Sequence, residues 1–150
     1  MTIGYAGWLA LPLLAAAAMA ANQGSDAATI VNSGSTNTRG YTIEVSRSGT
    51  ATVDARDGHA ARQASVEPEL ANRLFGALDA AKPLDTLASR HCMKSVSFGY
   101  SIRISYGGVS SPDLTCAGDD RSKQLAALAA EVAQAVGVSD HAPRRPVPAP

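Results

Sequence analysis

The chain has 150 residues, and its 13 Lys plus Arg balance its 13 Asp plus Glu, so the formal net charge is zero. These charges are scattered, which argues against nucleic acid or an acidic membrane surface as a partner, because both are bound through clustered positive charge. The length suits one domain and is too short for two. Aromatic residues make up only 5% of the chain, so we expect a modest core.

The first twenty residues predict export. An apolar run ends in Ala18-Met19-Ala20, the A-x-A pattern that signal peptidase cleaves. The run is shorter than the roughly 20 apolar residues that a membrane span needs. We therefore expect residues 1–20 to be a cleaved signal peptide and the mature chain to begin near Ala21, in the periplasm or outside the cell.

Two alternatives to a cleaved signal remain open. Residues 1–20 contain no Lys or Arg, although signal peptides normally open with positive charge, so an upstream start is one alternative. The other is an uncleaved anchor, which is the only case in which we expect a membrane as partner. No Cys follows the cleavage position, so a lipoprotein is not expected.

The two cysteines, Cys92 and Cys116, are an even number in a chain expected to enter an oxidising compartment. A bridge would close a loop of about 25 residues and stabilise the fold by roughly 3 kcal/mol in the chain-entropy model. A metal pair or a thiol nucleophile is the alternative, but only His91 lies beside Cys92 and no Cys-x-x-Cys is present. We predict a structural disulfide.

A β-hairpin opens the predicted domain at residues 41–137. The stretch before it, residues 21–40, is rich in Ser, Asn and Gly and predicts a flexible lead-in, in which only Thr29-Ile30-Val31 could form a short strand. Pairing Val45 with Ala51 puts the alternating apolar residues of both strands on one face and leaves a three-residue loop ending in Gly49. A helix follows with an apolar stripe of period 3.6, beginning near Pro68 and ending before Pro83. The stripe is Leu70, Leu74, Ala77, Leu78 and Ala81.

A second hairpin and helix follow. Alternate positions are apolar at Val96, Phe98, Tyr100, Ile102, Ile104 and Tyr106. Gly107-Gly108 predicts a two-residue turn, and Pro112 places the returning strand at a sheet edge or a bulge. The second helix is predicted over residues 122–136, with an apolar stripe and a closing Gly137. Its cap is Asp119, Asp120 or Ser122, and its stripe is Leu125, Leu128, Ala129, Val132 and Val136.

These elements predict an α+β fold. Two ββα units would form one antiparallel sheet of four to five strands, with two helices packed on one face. Residues 138–150 are rich in proline and predict a disordered tail.

The segment Cys92-Met93-Lys94-Ser95-Val96-Ser97-Phe98-Gly99, followed by Ser111-Pro112-Asp113-Leu114-Thr115-Cys116, resembles small exported bacterial proteins of unknown function. Gly34-Ser35-Thr36-Asn37-Thr38 belongs to the same resemblance, which spans about residues 34–137. The resemblance implies export and a disulfide, and it implies no activity.

No set of catalytic residues is assembled in the sequence. Asp54, Asp57 and His59 cluster around Asp57-Gly58, an ordinary turn pair, so we interpret them as a solvated turn rather than a metal site. His91 is the best candidate for proton chemistry, with Asp113 as a possible acid partner. No Gly-x-Ser-x-Gly elbow or phosphate-binding loop is present, and no cofactor is expected.

We therefore expect a small exported domain that binds or inhibits another envelope or extracellular protein and is not an enzyme. The expected contact surface lies on the second hairpin and comprises His91, Tyr100, Tyr106 and Asp113. The alternatives are an accessory hydrolase-like enzyme that uses His91 and Asp113, and an envelope structural protein without a dedicated ligand.

Overall fold

The computed structural model describes residues 26–142; the predicted signal peptide and residues 143–150 of the predicted tail lie outside this range. The strands are β1 (Ala27–Asn32), β2 (Tyr41–Ser46), β3 (Thr50–Asp54), β4 (Arg62–Ser65), β5 (Ile102–Tyr106) and β6 (Val109–Ser110). The helices are α1 (Pro68–Ala80) and α2 (Asp120–Ala135), and short 3-10 turns lie at Leu84–Thr86 and Leu114–Cys116.

The six strands form a single antiparallel sheet in the order β4-β3-β2-β1-β5-β6. Buried residues alternate with more exposed ones along β1, β2, β3 and β5, and the apolar stripes of α1 and α2 join the same buried cluster. Both helices therefore cover one face of the sheet. The predicted α+β class is confirmed, with one strand more than the largest number expected.

The first hairpin has the predicted register. Val45 lies opposite Ala51 and Ile43 lies opposite Val53, and all four are buried. Gly49 closes the loop with φ +86°, and a Cβ atom there would lie 2.4 Å from the carbonyl oxygen of Val66. The turn therefore requires glycine both for its backbone conformation and for the close approach of Val66, the residue just after β4.

The stretch expected to be a flexible lead-in instead contains β1, which lies between β2 and β5 near the middle of the sheet. Ile30 is fully buried and lies opposite Ile43 on one side and Ile104 on the other. The strand is hard to detect in the sequence because its other buried positions are a small residue, Ala28, and a polar one, Asn32. The prediction of a flexible lead-in is therefore wrong for residues 27–32.

The sequence pattern does not predict the fourth strand. β4 has the sequence Arg-Gln-Ala-Ser and is mostly exposed, so it carries no apolar alternation, yet it pairs with β3 at the sheet edge. With β1 and β4 included, α1 follows four strands and α2 follows two. The chain is therefore not a duplicated ββα unit.

The two helices match their predicted positions closely. In α2 the side chain of Asp119 accepts a hydrogen bond from the backbone N–H of Ser122 at 2.8 Å, and Ser122 Oγ accepts one from Asp119 N, which completes a capping box. The Ser122 hydroxyl also donates to the Asp119 carboxylate, and this hydrogen bond, followed by the one from Ser122 N, lowers the pKa of Asp119 to about 2, so the cap stays ionised at neutral pH. Gly137 follows α2 with φ +74°, as expected for the residue after a helix end.

The second hairpin is confirmed at its turn and corrected in its length. Tyr106 pairs with Val109 across Gly107-Gly108, but β5 begins only at Ile102, and residues 91–101 form no strand. β1 ends opposite Ile102, and one more backbone hydrogen bond follows, from Ser33 N to the carbonyl of Ser101 at 3.0 Å. The chain then turns away at Gly34, so residues 91–100 have no strand to pair with. Alternation alone does not make a strand where no partner is available.

The predicted disordered tail begins with an ordered segment. Val138 packs against the core, and Asp140 Oδ1 accepts hydrogen bonds from Tyr41 Oη at 2.7 Å and Asn32 Nδ2 at 2.8 Å. Burial raises the pKa of Tyr41, and the Asp140 carboxylate raises it further, so the hydroxyl remains a donor at neutral pH. The carbonyl of Ala142 also accepts from Arg39 N. The prediction of disorder is wrong for residues 138–142.

Because Tyr41 and Asn32 are almost completely buried, we expect Asp140→Ala to destabilise the domain. Each buried group left without an acceptor costs about 1–3 kcal/mol of unfolding free energy. Asp140→Asn keeps an acceptor oxygen and should lose much less. Urea unfolding of the two variants beside the wild type measures the difference, and an Asp140→Ala chain as stable as the wild type would contradict the docking of this segment.

Candidate functional site

The large hydrophobic side chains exposed in residues 26–142 lie in one short segment. Met93 is 96% exposed, Val96 85% and Phe98 60%. A contiguous exposed apolar patch on a small domain is typical of an interaction site, whereas scattered single residues need no explanation. We call residues 91–98 the stapled loop. Contacts at both of its ends and in its middle hold its backbone in place.

The first end of the stapled loop is tied to the segment before α2. Cys92 is bonded to Cys116, with their Cα atoms 5.8 Å apart, which confirms the predicted disulfide. Arg90 N donates to the carbonyl of Cys116 at 2.7 Å, and Ser89 forms an isolated bridge with Ala117. Backbone pairing and a covalent bond therefore act on the same few residues.

The other end of the stapled loop is tied to the residues that follow β1. The carbonyl of Ser97 accepts hydrogen bonds from Asn37 N at 3.0 Å and from Ser35 Oγ at 2.7 Å. Thr36 Oγ1 donates to the carbonyl of Val96 at 3.2 Å. These contacts use the loop's backbone, so the side chains of Val96 and Phe98 remain directed to solvent.

An ion pair supports the middle of the stapled loop. Lys94 Nζ contacts the carboxylate of Asp113 and donates to the carbonyl of Tyr100 at 2.6 Å. Asp113 Oδ1 also accepts from Thr115 N at 3.0 Å and Ile102 N at 3.3 Å. Partial burial raises the pKa of Asp113, but the hydrogen bonds from Lys94 and Thr115 outweigh it, so this pKa lies below its ordinary value.

His91 and Asp113, the pair considered for proton chemistry, are not brought together as an acid–base pair. The hydrogen-bonding partners of the Asp113 carboxylate are Lys94, Thr115 and Ile102, and it therefore acts as a support for the stapled loop. His91 is exposed at the start of that loop. Within residues 26–142 its side chain makes no hydrogen bond or ion pair.

The two tyrosines expected at the contact surface have different environments. Tyr106 is only 3% exposed; its ring packs edge-on against Phe75 with centroids 5.6 Å apart, and its hydroxyl donates to Asp79 at 3.1 Å. The prediction that Tyr106 forms part of a contact surface is therefore wrong, because it belongs to the core. Tyr100 is half-buried, with its ring edge-on to that of His141.

The acidic cluster around the turn after β3 makes local contacts. Asp54 accepts from Arg56 N at 2.9 Å, and Asp57 accepts from His59 N at 3.1 Å. Asp57 also lies 4.0 Å from Arg39. Over residues 26–142 no three His, Cys, Asp or Glu side chains are grouped so that they could hold a metal ion.

The sequence pattern gives Ser35, Thr36 and Asn37 no structural role, yet their hydrogen bonds hold the stapled loop from about sixty positions away. No helix of the described part is long and apolar enough to cross a bilayer. Comparisons with protein-family models, curated proteins and solved structures returned no match to this chain.

Proposed function

We propose that this chain is an exported, non-enzymatic binding module and that the stapled loop is its contact surface. The observation that carries the proposal is the concentration of exposed Met93, Val96 and Phe98 on a backbone held at both ends. The partner expected is an envelope or extracellular protein with an apolar pocket or groove.

Energetics favour such a role for these three side chains. Burying a large apolar side chain stabilises a complex by about 1.5–3 kcal/mol, and here that free energy is left unused in the monomer. The contacts from Cys116, Asn37 and Asp113 already order the loop backbone, so binding has less conformational entropy to overcome. Few residues carry most of the affinity in protein interfaces, and three exposed apolar side chains on an anchored loop suit that pattern.

The proposed location in the periplasm or outside the cell is supported by two observations of different kinds. The A-x-A pattern at Ala18-Met19-Ala20 predicts cleavage and export. The Cys92–Cys116 bond is compatible with an extracytoplasmic domain.

The test is affinity capture from an envelope extract of the host with the immobilised mature chain. The triple variant Met93→Ser, Val96→Ser, Phe98→Ser should lose the captured partner by at least about tenfold, since each lost anchor costs more than 1 kcal/mol. Lys123→Ser, an exposed position on α2, is the matched control and should retain the partner. Because all four side chains are exposed, thermal melting of both variants should remain close to that of the wild type.

A partner captured equally by the wild type and the triple variant would place the contact surface elsewhere on the domain. The hypothesis of a hydrolase-like enzyme would be favoured if His91→Ala alone abolished a measurable activity while the chain remained folded. If the chain is an envelope structural protein without a dedicated ligand, the triple variant should capture the same proteins as the wild type.

A further inference from the structure

The backbone of the stapled loop offers more than apolar side chains. Residues 91–94 contain neither a turn nor a bend. Within the described part of the chain their N–H and C=O groups make no hydrogen bonds, whereas Arg90 N before them and the carbonyls of Val96 and Ser97 after them are all used. Four successive residues therefore present free donors and acceptors on an exposed, anchored segment.

Free backbone groups and one prominent side chain are what the cleft of an endopeptidase recognises. Such clefts bind an unpaired peptide segment through main-chain hydrogen bonds, as an added strand, and a side-chain pocket supplies the specificity. Met93 is the most exposed large hydrophobic residue of the loop, and it lies in the middle of the free segment.

We infer that residues 91–94 bind in the cleft of an extracytoplasmic serine endopeptidase as a substrate-like inhibitor, with Met93 in an apolar specificity pocket. The inference rests on the proposed function and adds the class of partner. It also selects one residue of the loop as the specificity determinant.

Met93 fits this role better than its neighbours. The ammonium group of Lys94 is held by Asp113 and by the carbonyl of Tyr100, so it cannot extend into a pocket without losing both contacts. Phe98 lies at the end of a hydrogen-bonded turn, next to Ser97, whose carbonyl is already occupied. The side chain of Cys92 is committed to the disulfide.

The anchors on both sides of the Met93–Lys94 bond account for inhibition instead of simple cleavage. Attack of the enzyme's serine oxygen on the Met93 carbonyl would break that C–N bond, and the Lys94 amine would take up the proton from the enzyme's general acid. Cys92 stays tied to Cys116, and Lys94 stays tied to Asp113, so the amine remains beside the acyl group. Its return attack reforms the peptide, transfers the proton back and competes with hydrolysis.

A lipid surface is a different occupant for an exposed apolar loop, and the charges do not favour it. Stable binding of peripheral proteins to membranes requires a second signal, usually a basic cluster. Lys94 is the one Lys or Arg of residues 91–98, and it is paired with Asp113. The domain as a whole has no charge excess.

The experiment measures inhibition of chymotrypsin and subtilisin, with trypsin as the enzyme that requires a basic residue in its pocket. The disulfide-bonded chain should inhibit the first two stoichiometrically and leave trypsin active. Met93→Lys should weaken inhibition of chymotrypsin by at least about 30-fold, the loss typical of an interface hot spot, and should create inhibition of trypsin. Val96→Lys, in the same loop but outside the free segment, should create none.

A variant without the disulfide tests whether the anchor at Cys92 makes the loop an inhibitor and not a substrate. The double variant Cys92→Ala, Cys116→Ala should be cleaved after Met93, as detected by mass spectrometry, and should no longer inhibit.

Failure of the folded wild type to inhibit either enzyme, or failure of Met93→Lys to transfer inhibition to trypsin, would overturn the inference. Binding of the wild type to vesicles of phosphatidylcholine and phosphatidylglycerol, lost in Met93→Lys, would overturn it in favour of a lipid surface. If peptidases are not inhibited but the triple serine variant still loses its envelope partner, the proposed function stands without this inference.

Discussion

Ile30→Ala will lower the free energy of unfolding by about 2–5 kcal/mol, the range found when a buried Ile is truncated and a cavity remains. Ile30 is fully buried, with Ile43 and Ile104 opposite it on the two neighbouring strands. Its loss therefore weakens the core on both sides of β1. Urea denaturation followed by circular dichroism measures the change in midpoint.

The matched control is Val31→Ala, the next residue along β1, which points to the other face of the sheet and is only partly buried. It should lose much less stability than Ile30→Ala. If the two variants were equally stable, or if Ile30→Ala matched the wild type, β1 would not be a central strand, and the sequence-based expectation of a flexible lead-in would be restored.

Removing the disulfide is the second large effect expected. The double variant Cys92→Ala, Cys116→Ala should lose about 2–4 kcal/mol of unfolding free energy, because the bond closes a loop between positions separated by 24 residues. The stapled loop should also lose its order, because the covalent anchor at its first end is gone. The affinity for a partner that binds Met93 should then fall by more than the smaller fraction of folded chain alone explains.

Two measurements keep this second prediction specific. Thiol titration of the denatured, unreduced wild type should find no free thiol, since both cysteines are bonded to each other. A reductant should lower the denaturation midpoint of the wild type and leave that of the double variant unchanged. Two titratable thiols in protein purified from the periplasm or the medium would contradict the prediction.

Elements whose signals lie within a few residues of one another were predictable. The turn at Gly49, the Gly107-Gly108 turn and the cap of α2 are each specified by local backbone preferences and side-chain hydrogen bonds. The stripes of α1 and α2 follow from the helix period alone.

The candidate site was only partly predictable. The disulfide and Asp113 lie in the predicted region, but Asp113 supports Lys94 instead of activating His91. Val96 and Phe98 were expected to be strand residues because they alternate with polar neighbours, and they are instead exposed. Contacts from residues 35–37 hold the loop open to solvent, and a separation of about sixty residues leaves no local signal in the sequence.

The disulfide pair, the register of the first hairpin and both helices follow from the sequence alone. Only two cysteines are present, and the hairpin and the helices are specified by geometry within a few residues. The central position of β1 and the absence of residues 91–98 from the sheet depend instead on which strands are adjacent in the folded chain. The physical reason is the same for both: a strand exists only where another strand satisfies its backbone hydrogen bonds. β1 has such partners on both sides, whereas residues 91–98 lie beyond the end of β1 at Asn32 and pair with no strand.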